Sequence, residues 1–92
     1  MRVSWDPVKA ARNITKHGIA FDEAVTVFED PLGRVVADPR HSFGEERYAL
    51  LGTSSQGRLL AVMFTEQEPD DLRIFSARLA TPFERRNYEE NT

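Results

Sequence analysis

The chain has 92 residues, 40% of them hydrophobic and 29% charged, with a formal net charge of −3, a composition that fits one folded core and excludes a disordered or fibrous chain. With no cysteine, disulfides, thiolate nucleophiles and Cys-based zinc sites are excluded. No apolar run reaches membrane-spanning length and the N-terminus lacks a signal-peptide pattern, so the expectation is a single domain over residues 1–92, cytoplasmic, with no membrane contact.

Val3, Ser4 and Trp5 form a short strand candidate leading into Asp6 and Pro7, an N-cap followed by proline at the first helical position. The helix should run to His17 and stop at Gly18. At 100° per residue, Lys9, Arg12, Asn13 and Lys16 share one side, while Val8, Ala11 and Ile14 take the other. The first side reads as a basic rim and the second as core. Phe21, Ala24, Val25 and Phe28 follow helical spacing and predict a second short helix over 21–29, ended by Asp30 and Pro31.

From Leu32 onward the pattern changes to strands, predicted over residues 32–38, 47–53, 58–66 and 72–79. Ser55, Gln56 and Gly57 read as a hairpin turn, and residues 67–71 as an acidic exposed loop. Residues 59–64 are apolar on both faces, which marks a central strand. Thr81, Pro82, Phe83 and Glu84 make a capping box that opens a final helix to about residue 89. Its apolar content is thin, only Phe83 and Tyr88, so it should be loosely held. The order β-α-α-β-β-β-β-α predicts an α+β fold, a four-stranded antiparallel sheet with residues 3–5 as a candidate edge strand and helices packed on one face.

Net acidity argues against a generic nucleic-acid binder, but the cations are unevenly spread. Arg2, Lys9, Arg12 and Lys16 lie near one end and Arg73, Arg78, Arg85 and Arg86 near the other. Acid concentrates in Asp22, Glu23, Glu29 and Asp30 and in Glu68, Asp70 and Asp71. An anionic partner should therefore meet both ends of the chain.

Gly-rich phosphate loops, nucleophile elbows and zinc-protease motifs are absent. His17 and His41 are the only histidines and are not spaced to share a metal on one helix, so neither metal nor cofactor is expected. Three constellations remain. Lys16 and His17 at a helix end offer a proton carrier beside a cation, or simply complement the helix dipole. Arg47 and Arg78, at strand ends on one sheet face, can form a fork for phosphate oxygens, or pair with a carboxylate such as Asp38 or Glu46. By strict alternation Leu72, Ile74, Ser76 and Arg78 share a face. Tyr88, beside Arg85 and Arg86, can stack on a base or pack the last helix onto the sheet, with Arg85–Glu89 as a surface pair.

With WDPVKAARNITKHGIAFDEA, then FEDPL, ERY, RLLAV, RIFSARLAT and ERRNYEE in this order, the chain resembles the BrnT family of toxins over almost its whole length. The pattern W-D-x-x-K-x-x-x-N-x-x-K-H falls on Trp5, Asp6, Lys9, Asn13, Lys16 and His17. R-I-x-S-A-R falls on residues 73–78, and E-R-x-x-Y on Glu84, Arg85 and Tyr88. The resemblance implies a type II toxin with a RelE-like ribonuclease fold that inhibits translation by cleaving RNA, on or off the ribosome. It further implies neutralisation by a BrnA-like ribbon-helix-helix antitoxin, through which alone the toxin contacts DNA.

Metal-free cleavage by an RNA 2′-OH needs a base, an acid and cations for the developing charge. The expected catalytic set is His17, Glu46, Arg47, Arg78 and Tyr88: His17 or Glu46 takes the proton, the arginines hold the phosphate, and Tyr88 helps to place the substrate. Lys9, Arg12, Asn13, Lys16 and Arg85 are expected to bind RNA. The rival expectation is a non-catalytic protein-binding module acting as partner or co-repressor of a DNA-binding protein.

Overall fold

The computed structural model describes residues 1–37 and 47–90. The elements run β1 (Arg2–Trp5), α1 (Pro7–His17), α2 (Phe21–Thr26), a 3-10 turn (Val27–Glu29), β2 (Arg34–Ala37), β3 (Arg47–Thr53), β4 (Leu59–Glu68), β5 (Asp71–Leu79) and α3 (Pro82–Glu90). The strands form one five-stranded sheet in the order β1-β5-β4-β3-β2. β2 to β5 pair antiparallel, but β1 pairs parallel with β5, Trp5 opposite Ile74. The sheet is therefore mixed rather than antiparallel, because the chain leaves β1 through α1 and returns to its edge only at β5.

The apolar run of β4 explains the layering. Leu60, Val62 and Phe64 join Leu50, Ile74 and Ala77 beneath Ile19, Phe21, Ala24 and Val27. Trp5 packs edge-on against Phe21 with ring centroids 5.9 Å apart. Each fully buried side chain of this size contributes about 1.5–3 kcal/mol. Leu59, Ala61 and Met63 point the other way, where they meet Leu51, Ala49, Phe75 and Tyr88. A strand apolar on both faces needs cover on both, and α3 supplies part of it. The expectation of helices on one face is corrected: α1 and α2 serve one side of the sheet and α3 the other.

Asp6 caps α1 by accepting from the Val8 amide at 3.2 Å, and Gly18 closes it in the left-handed region at φ 71°. The helix is rolled differently from the amphipathic reading. Val8 and Ile14 are 55% and 52% exposed, while Asn13 is buried. The reason is polar. β1 ends opposite Ile74, leaving the edge of β5 uncovered at Ala77, and the Asn13 carboxamide substitutes for a strand there. It donates to the Ala77 carbonyl at 2.8 Å and accepts from the Ala77 amide at 3.1 Å. It also donates to the Ile19 carbonyl at 2.8 Å, which ties down the turn after α1.

Two further differences concern β5. The acidic loop expected over 67–71 is a tight turn at Pro69 and Asp70, where Asp70 takes φ 65°, a conformation aspartate tolerates better than most residues. The pairing also slips, with Met63 opposite Ser76 but Phe64 opposite Ile74, so Phe75 is an extra residue. Such a bulge breaks strict alternation. Leu72 and Ile74 consequently face the α1–α2 core, whereas Ser76 and Arg78 share the other face with Arg47.

Candidate active site

Among the described residues, the α3 side of the sheet is covered at one end and open at the other. Lys16, His17, Arg47 and Arg78 line one concavity of about 470 Å³ there, floored by Met63, Phe75 and Ser76. The two helix residues reach it because the Asn13 clasp lays α1 along the β5 edge. Arg47 arrives from the first residue of β3, and Arg78 from β5 beyond the bulge.

The two arginines are held differently. The Arg47 guanidinium stacks on the Phe75 ring at 4.7 Å from its centroid, a cation–π contact that leaves the charge uncancelled. Its buried Nε has no hydrogen-bond partner among the described residues. Asp38 and Glu46, the carboxylates expected to compete for these arginines, lie outside the described residues. Arg78 instead meets Glu84, donating from Nη1 to Oε1 at 2.7 Å and from Nη2 to Oε2 at 3.1 Å. Glu84 also accepts from the Thr81 amide at 2.9 Å, so the capping box is wired directly to the strand arginine. The Arg78 hydrogen bond is the main reason the Glu84 carboxyl sits below its ordinary range, against the opposing effect of burial.

The other expected site residues are placed elsewhere or remain at the margin. Lys9 lines an adjoining cavity with Arg47. Arg12 is exposed on α1 and lines neither cavity. Arg85 is exposed and pairs with Glu89 at 3.7 Å on the surface of α3. Asn13, expected to contact RNA, is committed to the fold by its three buried hydrogen bonds. Glu46 lies outside the described residues.

Tyr88 stands away from this concavity, in the packing role that was the alternative reading for it. Its hydroxyl donates to Asp30 Oδ2 at 2.6 Å and accepts from Thr53 Oγ1 at 3.2 Å. Arg47 and Thr53 stand at opposite ends of β3, which at about 3.3 Å per residue places their backbones roughly 20 Å apart. The phenol thus anchors α3 at the far end of the sheet, and the carboxylate it serves pushes its pKa above the usual 10.0. Burial would raise the Asp30 carboxyl, but the Tyr88 hydroxyl and the Thr53 and Leu32 amides outweigh it and bring it below its ordinary value. The neighbouring Gly52 is required by space, since a Cβ would lie 2.8 Å from Val27 Cγ1.

Sequence reasoning missed Phe75, Arg73 and the second role of Glu84. The T-P-F-E capping signal was visible, but nothing in it announces that the same carboxylate also reaches a strand arginine. Strict alternation would put Phe75 on the face opposite Arg78, and the bulge that brings the two to one face leaves no mark in alternation.

A third ion pair lies away from this site. Glu23, buried on α2, accepts from Arg58 Nε at 3.0 Å and Nη2, and from the Ser54 hydroxyl at 2.6 Å. The Arg58 hydrogen bond lowers the Glu23 pKa most, burial opposes it, and Ser54 adds to the lowering. Glu23, Asp30 and Glu84 therefore all favour the charged form in the fold. A depressed carboxylate contributes stability above its unfolded pKa, here near 4.5 for the two glutamates and 3.8 for Asp30. That contribution is lost as pH falls through the folded value. Urea midpoints should accordingly be flat near neutrality and fall below about pH 4.5, with a shallower fall in Glu23→Gln. Tyr88 acts with the opposite sign, its contribution being lost only as pH rises above 10.0.

A family model described as ribonuclease toxin, BrnT, of type II toxin-antitoxin system matches residues 5–84. The crystal structure of the Brucella abortus ribonuclease toxin BrnT aligns with a TM-score of 0.66 and 28% identity, covering 88% of this chain and 97% of that one. Among curated proteins none matches significantly. The family match spans both strand arginines, α1 and the capping box that reaches Arg78, and the fold agrees with it: the chain belongs to the BrnT family of ribonuclease toxins of type II toxin–antitoxin systems.

Proposed function

We propose that this protein is a RelE-like endoribonuclease that cuts RNA without a metal, in the cytoplasm, and inhibits translation by doing so. The observation that carries this reading is the convergence of Lys16, His17, Arg47 and Arg78 on one concavity in a chain whose overall charge is negative. In the proposed reaction the 2′-OH loses its proton and attacks the adjacent phosphorus. The 5′-oxygen leaves with a proton, giving a 2′,3′-cyclic phosphate and a 5′-hydroxyl. Charge grows on the non-bridging oxygens, where the fork of Arg78 and the stacked cation of Arg47 offer fixed positive charge that needs little reorganisation. Lys16 adds to it. His17 is the proton carrier at hand in the cavity, and Glu46 remains the other candidate for base. On this reading the scissile phosphate competes with Glu84 for Arg78, so substrate must exchange one bidentate anion for another.

The proposed partner is a BrnA-type ribbon-helix-helix antitoxin, with DNA reached only through it. A non-catalytic partner module is the second reading. It is favoured by an apolar groove of about 220 Å³ between β2 and α3, lined by Val36, Ala49, Leu51, Ala61 and Phe83 among others, and by Phe83 being 69% exposed. Purified protein incubated with RNA in excess chelator decides between the two. Fragments ending in 2′,3′-cyclic phosphate, abolished by a 2′-deoxy nucleotide at the cut, support the ribonuclease. RNA left intact by a protein that still binds its antitoxin supports the module.

A further inference from the structure

Arg47 borders a second concavity, of about 240 Å³, on the side away from Arg78. Its walls include Lys9 and Arg73 beside Arg47, together with Thr65, Gln67 and Phe75, and among the described residues no carboxylate lines it. Neither Lys9 nor Arg73 takes part in the ion pairs among the described residues. Among the described residues Arg73 makes one long side-chain contact, Nη1 donating to Ser4 Oγ at 3.4 Å. The Thr65 hydroxyl, itself buried, accepts from Gln67 Nε2 at 2.8 Å, which fixes the amide at the rim. The two concavities share Arg47 and Phe75, the stacked pair that the β5 bulge creates. Lys9, Arg73, Arg47, Arg78 and Lys16 thus form one cationic strip interrupted by a single partition.

We propose that the second concavity is a phosphate subsite of the same RNA site, taking the backbone phosphate next to the one that is cut, with Arg73 and Lys9 as its affinity-determining residues. This rests on the ribonuclease reading and adds to it a substrate requirement. One phosphate would be served by the first concavity alone. Two adjacent cationic concavities with a shared guanidinium suit a polyanion whose charges recur along a chain, and gathering like charges on an acidic protein is compensated only when such a ligand releases its counterions. The preferred substrate is then internal RNA of at least two consecutive phosphates, not a dinucleotide.

The test uses a short oligoribonucleotide in which one neutral methylphosphonate linkage is walked past the cut site. KM and kcat are measured for the wild type, Arg73→Gln and Lys9→Gln. One linkage beside the cut should, when neutralised, raise KM roughly tenfold, the factor for 1.4 kcal/mol, with kcat unchanged. Arg73→Gln should raise KM on the unmodified RNA by a similar factor and be insensitive to neutralising that linkage. Its log–log salt slope should fall by about 0.7. Arg73 is exposed, so the variant is expected to fold, and Arg73→Lys should recover part of the loss. If no flanking linkage matters, or if the variant and the neutral linkage add independently, the subsite is wrong while the ribonuclease reading stands. The same holds if Arg73→Gln weakens antitoxin binding but leaves KM for RNA unchanged, which would assign the cavity to an acidic protein segment. Failure of the wild type to cut the unmodified RNA overturns both.

Discussion

Replacing Arg78 or Arg47 with alanine should lower kcat for RNA cleavage by about 10²–10³-fold, the usual cost of removing one fixed donor to developing negative charge, while leaving a folded, antitoxin-binding protein. Arg78→Ala removes a fork that holds Glu84 at both oxygens. Glu84 keeps its bond from the Thr81 amide and is partly exposed, so the lost ion pair costs little stability. Arg47→Ala uncovers Phe75 but breaks no ion pair among the described residues. Arg78→Lys preserves charge without the planar fork and should fall between alanine and wild type. Tyr88→Phe supplies the contrast: it deletes the bond to Asp30 far from the cavity and should shift thermal stability rather than kcat. Single-turnover rates with saturating RNA, alongside melting curves, separate these outcomes. Undiminished cleavage by both alanine variants would falsify the assignment of the chemistry to this cavity.

Signals that depend on local backbone chemistry were legible in the sequence. The Asp6-Pro7 start, the Gly18 stop, the strand cores and the Thr81–Glu84 box all emerge close to where they were read, because each reports which dihedrals or amide partners a few adjacent residues can supply. Long-range partnerships were not legible. The parallel pairing of β1 with β5, the face taken by α3 and the Arg78–Glu84 fork depend on which edges and faces remain uncovered after the rest has folded. The β5 bulge is intermediate: alternation predicts a face for every residue, and one extra residue inverts the prediction for Leu72 and Ile74 without changing the strand. For the site, residue type and chain position singled out Lys16, His17, Arg47 and Arg78, which the fold brings to one concavity. They did not show that the polar atoms of Tyr88 and Asn13 are taken up by Asp30 and Ala77.

Asn13 illustrates how a residue can look like part of a binding rim and instead determine where that rim stands. Asn13→Ala should destabilise the fold by roughly 2–4 kcal/mol, since it leaves the Ala77 amide and two carbonyls buried without partners. That corresponds to a melting-temperature loss of about 10–25 °C for a chain of this size. The clasp also sets the axis of α1, so Lys16 and His17 should lose their position over the cavity, and cleavage should fall even under conditions where the variant is folded. Asn13→Asp gives the sharper test. The carboxylate keeps the acceptor for the Ala77 amide but turns negative oxygen toward the Ala77 and Ile19 carbonyls, so burial and repulsion raise its pKa in the fold. A raised carboxylate favours folding below its unfolded pKa and loses that contribution as pH rises through the folded value. This variant should therefore be relatively less damaged near pH 4 than at pH 7, opposite in trend to the wild type, whose carboxylates at Glu23, Asp30 and Glu84 are depressed. Equal destabilisation at both pH values would show that the carboxamide's donors do not hold the β5 edge.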